Sequence, residues 1–514
     1  MVFRFWTFFI SVIDRDESLY LLIAESWLNG NPPYTEIWDN KPPGIFLLLV
    51  IAFQIFGEPI FAMRFLAIIA VTCTCYFLYL IGKNIDNQQG KYIGLLAGIL
   101  YSIYSLNNGG TATNAEIIFA PFVTVAMAIF WQISQQLNRQ DQFKPDQQEK
   151  LPLFRIFIMG LLFGLAIQIK YVVVTEIAVG FILLTSYVIL TEKNLQNFQF
   201  LTVNFWRKLI KVWFCFTAGL ILPLLAIALY YLVVGDFSEY IYATITANTK
   251  YVAGTSFNLN LFKKVINKQI SRNFLLWSSL LYLPIYYCFI RLKQKYQFSF
   301  LTEINIIYLL IWLIFTFISV SISKKFFPHY FLQILPPLCL ITSFLIIKTI
   351  YIQPILNIKK RHLILLIIFI YPFTQKISNQ MSKNIEFVYY RWLKKDDTWD
   401  DREAMIASYV KSRLNKNDYI YIVNHQPIIY YLAQAKIPTK YPFPSHLTSL
   451  SQMLPVHSIQ ELHSIMSKKP QYIIMAKKNN IDPNYLQVLN NYLYHEYFLE
   501  NTIENVELYR RKSS

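Results

Sequence analysis

Asp14-Arg15-Asp16-Glu17 and, further on, Asp39-Asn40-Lys41-Pro42-Pro43 make a short polar insert between two strongly apolar blocks. Ionisable groups at the edge of a bilayer are costly and mark a functional site by default. A carboxylate such as Asp16 or Glu17 can take a proton from an incoming hydroxyl or amine, or hold a divalent cation, magnesium or manganese, through oxygen ligands. The same pair also suits a plain helix start, because acids favour the positive end of a helix dipole and Asp16 precedes the run 17–29. Lys41, fixed by a rigid Pro-Pro turn, offers a point charge for a phosphate. An interfacial lysine reaching into headgroups is its plainer reading.

A second polar group is Lys324-Lys325-Phe326-Phe327-Pro328-His329-Tyr330, between two apolar runs. Two lysines, a histidine and a tyrosine can bind a phosphate or a sugar, although basic and aromatic residues gather at membrane interfaces regardless of function. Asn424-His425-Gln426-Pro427 follows an expected strand, where a lone histidine is more often structural than chemical.

The elements that must position these residues follow from composition. The chain has 514 residues, 55% hydrophobic, 17% aromatic and 15% charged, with a mean hydropathy of +0.36. Repeated apolar runs close to the length that crosses roughly 30 Å of hydrocarbon make it an α-helical polytopic membrane protein. Residues 2–13 are short for a span and lack a signal-peptide cleavage site, and they read as the end of a first spanning helix that begins before this chain. Residues 17–29 place Leu21, Leu22, Trp27 and Leu28 near one side, as in a helix lying on the membrane surface. Pro42 and Pro43 force a new element for 44–56, which dips in without crossing. Further spans are expected at 60–82, 91–107, 114–133, 155–170, 172–190, 209–234, 273–290, 303–322, 329–349 and 362–375, about eleven in all.

The net charge of +17 comes from short basic clusters between apolar runs, which speaks against nucleic acid. One set of alternate loops holds Lys83 and Lys91, then Arg139, Lys144, Lys150 and Arg155, then Lys193, Arg207, Lys208 and Lys211, then Arg291, Lys293 and Lys295, then Lys348, Lys359, Lys360 and Arg361. By the positive-inside rule that set is cytoplasmic, so the acidic insert 14–43 faces outward across the plasma membrane. The five cysteines fall in apolar runs without metal-ligand spacing and read as small hydrophobes. Segment 235–272 reads as a polar external loop. Residues 1–375 are expected to form the membrane domain and 376–514 a small extracytoplasmic α/β domain, with strands at 419–423 and 471–476 and helices at 400–414, 427–434 and 484–494. No Gly-rich phosphate loop precedes a helix, and no internal repeat is visible.

The order Asp16-Glu17, Tyr20, Gly30-Asn31-Pro32-Pro33-Tyr34, Lys41-Pro42-Pro43-Gly44, Phe56-Gly57 and Arg64 resembles glycosyltransferase family 39 and its neighbours. These are the protein O-mannosyltransferases and lipid A aminoarabinose transferases of the GT-C superfamily. The resemblance implies a GT-C fold and transfer of a sugar from a polyprenyl-phosphate donor to a lipid, glycan or protein acceptor on the outer face of the membrane. It implies Asp16 as the catalytic aspartate, Glu17 as its neighbour, and Lys41 as the lysine on the donor phosphate. Glu116, in Thr113-Asn114-Ala115-Glu116, matches a family-like acid, though a capped helix start explains it equally well. Gly160 to Gly164 with Lys170 resembles the family's Gly-rich membrane segment, although close helix packing also accounts for the glycines. The Lys324, Lys325, His329 and Tyr330 element looks like the basic-aromatic-Pro-His-Tyr element of many bacterial relatives, and in that context its residues are expected on the donor phosphate. The chain departs from the pattern at Ser18, where many relatives carry glycine or arginine, and in its short first helix. A sugar-polymer ligase would not need the Asp-Glu to Lys-Pro-Pro arrangement. A transporter would place polar residues at mid-depth in repeated halves, and a scaffold leaves the first loop unexplained.

Overall fold

The computed structural model describes residues 2–140, 151–191, 202–293, 300–356, 361–476 and 481–512. Helices α1 (Arg15–Leu28) and α2 (Gly44–Phe56) flank the polar insert. They are followed by α3 (Pro59–Ile85), α4 (Gly90–Tyr104), α5 (Ala115–Gln140), α6 (Leu153–Ile167), α7 (Val174–Thr191) and α8 (Val203–Val234). Three short helices come next, α9 (Phe237–Ile241), α10 (Ala247–Ala253) and α11 (Leu259–Arg272). The bundle resumes with α12 (Phe274–Lys293), α13 (Phe300–Ile322), α14 (Leu335–Leu356) and α15 (Arg361–Phe387).

Among the described residues six helices are long and apolar enough to cross a membrane: Pro59–Ile85, Ala115–Gln135, Tyr171–Thr191, Val203–Val234, Thr302–Ile322 and Pro328–Tyr351. Each coincides with an expected span. Helices α4 and α6 have 15 residues each, about 22 Å at 1.5 Å per residue, short of a full crossing unaided. Residues 2–13 contain a 3-10 helix, Val2–Phe9. Helix α2, with 13 residues, is too short to span. Of the basic set, Lys144, Lys150, Lys193, Lys295, Lys359 and Lys360 lie outside the described residues.

The tightest helix packing joins α6 to α8. A side chain at Gly160 or Gly164 would run into the carbonyls of Phe216 or Leu220, so these glycines serve close approach. The cysteines are free; Cys339 is buried and Cys288 exposed, so only part of the set behaves as core.

Three expectations change. Helix α1 is not a one-sided surface helix: Glu17 through Ala24 are all buried, because α2 covers one flank and the C-terminal helix α17 (Ile428–Ala433) the other. Segment 235–272 is helical rather than a loop. In α11 the lysines face out while Phe262, Val265 and Ile266 pack on the core. The change of composition at 376 falls within α15, and the mixed α/β unit starts with α16 (Arg402–Lys411).

That unit holds β1 (Ile420–Val423), α17, α18 (Ser458–Ser467), β2 (Tyr472–Met475), α19 (Pro483–Glu496), β3 (Tyr497–Ile503) and β4 (Val506–Arg511). The sheet order is β1-β2-β4-β3, with β1 and β2 parallel and β4 antiparallel to both its neighbours. Strands β1 and β2 are buried throughout, as their continuous apolar runs require. The β3–β4 hairpin was not expected. Its two-residue turn, Glu504-Asn505, has positive φ at both positions (44° and 67°), a conformation usually announced by Asn-Gly.

Candidate active site

Asp14 caps α1, its carboxylate accepting from the Asp16 amide at 2.9 Å, and Glu17 closes the capping box by accepting from the Asp14 amide at 3.2 Å. This start turns the two acids of the motif in opposite directions.

Glu17 faces inward. Its carboxylate and the Arg64 guanidinium, both fully buried, pair through two hydrogen bonds. Glu17 also accepts from the Thr113 amide at 2.8 Å, while Arg64 donates to the Thr7 carbonyl at 3.2 Å. Glu17 was expected to be catalytic, but every oxygen is spent on tying α1, α3, the 3-10 helix and the 105–114 turn together. Its place is that of a fastener. Arg64→Ala is expected to lose about 3–5 kcal/mol of stability by leaving a buried carboxylate without its cation. The paired change Glu17→Gln with Arg64→Met should lose much less than the sum of the single changes, read as thermal unfolding of the purified protein.

Asp16 faces the polar insert. Lys41 Nζ stands 3.5 Å from its carboxylate and 3.3 Å from that of Asp39, and Tyr20 Oη donates to Asp16 at 3.4 Å. The lysine backbone is immobilised by its neighbours. Tyr34 Oη donates to the Lys41 carbonyl at 2.5 Å, and Asn248 of α10 clamps Asn40 by hydrogen bonds of 2.7 and 3.0 Å. The Gly44 amide donates to the Gln168 carbonyl at 2.8 Å. A Cβ at Gly44 would meet that carbonyl at 2.5 Å, so the glycine of Lys-Pro-Pro-Gly is there for the junction between α6 and α7.

Lys170 does not snorkel. It pairs with the buried Glu116 and lies 4.3 Å over the Tyr330 ring, a cation–π distance. His329 packs edge-on to Tyr330 at 4.8 Å. His329 and Lys170 are both close enough to act on the Asp16 charge. Glu116, His329 and Tyr330 therefore join Asp16 and Lys41 in one site. Lys324 and Lys325 sit apart. Lys324 donates to the Thr255 carbonyl at 3.2 Å, and Lys325 stands 3.9 Å over Tyr251, one ring away from the site.

Burial disfavours the ionised form of Asp16, but Lys41, His329 and Lys170 outweigh it and hold the carboxyl below its usual range. Burial also works against the Lys41 charge, and Asp16 and Asp39 overcome it, holding the ammonium above its usual value. Burial, together with the Asp16 charge, pushes Asp14 up. At neutral pH the centre is thus an ionised Asp16 beside a charged Lys41.

Among the described residues no group of three His, Cys, Asp or Glu side chains is arranged to hold a metal ion. Asp16 and Asp39 could supply oxygens, but the Lys41 ammonium already lies against both. Magnesium or manganese needs a far fuller oxygen shell. The donor set does not fit the expected cation.

The C-terminal unit contributes what local motifs did not announce. The Trp38 amide donates to the Lys440 carbonyl at 2.8 Å, the Phe443 ring lies 5.8 Å from Lys41 Nζ, and buried His446 stands 3.9 Å from Asp39. His425 is buried 3.5 Å from Glu403.

Residues 40–205 match the family described as dolichyl-phosphate-mannose-protein mannosyltransferase. No curated protein matches the chain. ArnT from Cupriavidus metallidurans bound to undecaprenyl phosphate superposes with a TM-score of 0.61 at 14% identity, over 100% of this chain and 96% of that one. Its apo state gives 0.57 at 12%, over 99% and 95%. The oligosaccharyltransferase AglB from Archaeoglobus fulgidus, in complex with an inhibitory peptide and a dolichol-phosphate, gives 0.48 at 15%, over 90% and 65%. Lys41, Arg64, Glu116 and Lys170 lie inside the matched segment, Asp16 before it. Residues 40–205 are thus similar to a mannosyltransferase family, and the chain has an ArnT-like fold along its whole length.

Proposed function

We propose that this chain transfers a sugar from a polyprenyl-phosphate-linked donor to a lipid, glycan or protein acceptor at the outer face of the plasma membrane, by one inverting displacement. The observation that carries the reading is the Asp16–Lys41 pair, 3.5 Å apart at the mouth of a helical bundle. A base for the acceptor and a cation for the leaving phosphate stand side by side. ArnT, of the same fold, binds undecaprenyl phosphate.

The donor phosphate lies against Lys41, with Lys170 and His329 behind it. Asp16 accepts the proton of the acceptor hydroxyl as that oxygen bonds to the anomeric carbon. The bond from the anomeric carbon to the phosphate oxygen breaks, and polyprenyl phosphate leaves with the electron pair. Because phosphate is already a good leaving group, cationic stabilisation matters more than a general acid. Binding also primes the base. Lys41 is shared between Asp16 and Asp39, so a phosphate that draws it away removes the strongest cation holding Asp16 down and makes Asp16 a better proton acceptor.

The test uses purified protein in lipid vesicles, offered labelled sugars on polyprenyl phosphates and on nucleotides, with an extract of envelope lipids and glycans as acceptor. Label is expected to move from lipid-phosphate donors alone. Transfer from nucleotide sugars, or none from any lipid donor, overturns the reading.

The base must be ionised, so rate is present above the Asp16 pKa and lost as pH falls through it. Lys170→Gln removes one of the cations that hold this pKa down. The acid limb of its kcat profile is therefore expected at higher pH than in the parent.

A further inference from the structure

Helix α11 carries Lys263, Lys264 and Lys268 on its exposed side, with Arg272 one turn beyond Lys268, and contains no acidic residue. Lys264, Lys268 and Arg272 follow at intervals of four, so their charges stand in one row and repel one another. Among the described residues none of the three lysines makes an ion pair or a side-chain hydrogen bond. Lys376 adds a fifth positive charge at the end of the row, donating to the Arg272 carbonyl at 3.1 Å. Such a row wants an anion from outside the chain.

Its surroundings say which anion. Beside the lysines Phe257, Leu259, Leu261 and Ile270 are exposed, Phe257 to 55%. Apolar and basic side chains mixed along one helix, with the opposite face packed on protein, are the make-up of a helix at the boundary of headgroups and acyl chains. The height is fixed by neighbours. Asn273 alone separates it from the apolar helix α12, while Gln269 and Asn108 exchange hydrogen bonds of 2.8 and 3.1 Å. Phe262 packs on Phe326 at 5.1 Å. These contacts put α11 at the level of the turns that flank Asp16 and Lys41.

We infer that α11 is a docking surface for anionic glycerophospholipid headgroups of the leaflet on the Asp16 side of the bundle, separate from the donor site. Phosphate oxygens meet Lys263, Lys264 and Lys268, and the exposed apolar side chains sit among the upper acyl carbons. The inference does not depend on sugar transfer and is read without it.

The experiment titrates detergent-solubilised full-length protein with phosphatidylglycerol or phosphatidylcholine and counts retained lipids by native mass spectrometry. The parent is expected to prefer phosphatidylglycerol, and K263Q/K264Q/K268Q to lose at least about tenfold of that preference, since basic residues near an anionic surface each contribute separately. K263R/K264R/K268R, which keeps the charge, should retain it. Equal retention of both lipids by the parent, or an unchanged preference in the glutamine variant, overturns the assignment. With polyprenyl phosphate as a third titrant, a glutamine variant that loses that lipid alone would move the surface to the donor, which also overturns it. All three lysines are exposed, and an unchanged unfolding temperature shows that the variants fold.

Discussion

Asp16→Asn is expected to lower kcat for sugar transfer by about 10²–10⁴-fold while leaving the unfolding temperature unchanged, the range for removing a positioned general base. The amide is nearly isosteric, and it can still accept from Tyr20, which now donates at 3.4 Å. What it cannot do is take a proton or counter the Lys41 charge. Stability should hold because Asp16 is not part of the buried knot; its neighbour Glu17 is, paired with Arg64 and bonded to the Thr113 amide. Two adjacent carboxylates thus separate by readout. A change at Asp16 appears in rate, a change at Glu17 in melting. An Asp16→Asn protein that melts normally and turns over at the parental rate would remove Asp16 from the chemistry.

Lys41→Gln is expected to cost on the order of 10²–10³-fold in kcat/KM, as the loss of one aimed charge at a developing anion does. Two effects add. The leaving phosphate loses its nearest cation, and Asp16 and Asp39 are left facing each other without the ammonium that now stands 3.5 and 3.3 Å from them. Asp16 then titrates at higher pH, because its largest charge-stabilising partner is gone. Residual activity should therefore show an acid limb shifted upward, further than in Lys170→Gln. Arginine should rescue poorly. The pocket over Tyr20 and Phe443 is shaped around a compact ammonium, and a planar fork places its charge elsewhere. Measurement of kcat and KM separately, with donor as the varied substrate, checks the claim.

Much of this was legible where chemistry is local. The acid-favoured helix start near Asp16, the rigid turn at Pro42-Pro43 and the six long apolar helices each follow from a few neighbouring residues. Asp16 and Lys41 stood out because charge beside apolar runs is conspicuous. What pairs with what was not legible. Glu17 reads like Asp16 along the chain, and only the three-dimensional position of Arg64 separates them. Glu116 opens α5 and Lys170 lies in the junction between α6 and α7, and they meet only after folding. Segment 235–272 hid its helices because the apolar positions that reach the core, such as Phe262 and Ile266, are few, and Phe257, Leu259, Leu261 and Ile270 lie exposed among the lysines and blur the helical period. His446 and Phe443 come from an aperiodic stretch with no signal beyond aromatic content, yet they close over Asp39 and Lys41. Lys324 and Lys325 belong to a conspicuous motif, and their ammonium groups turn to Thr255 and Tyr251, partners that no local pattern announces.

The most direct measurement is a single-turnover reaction of the reconstituted protein with a defined polyprenyl-phosphate sugar, following free polyprenyl phosphate and the anomeric configuration of the product by NMR. The account predicts one polyprenyl phosphate released for each sugar transferred, with the configuration inverted. Retained configuration, or transfer without release of the lipid phosphate, would contradict it.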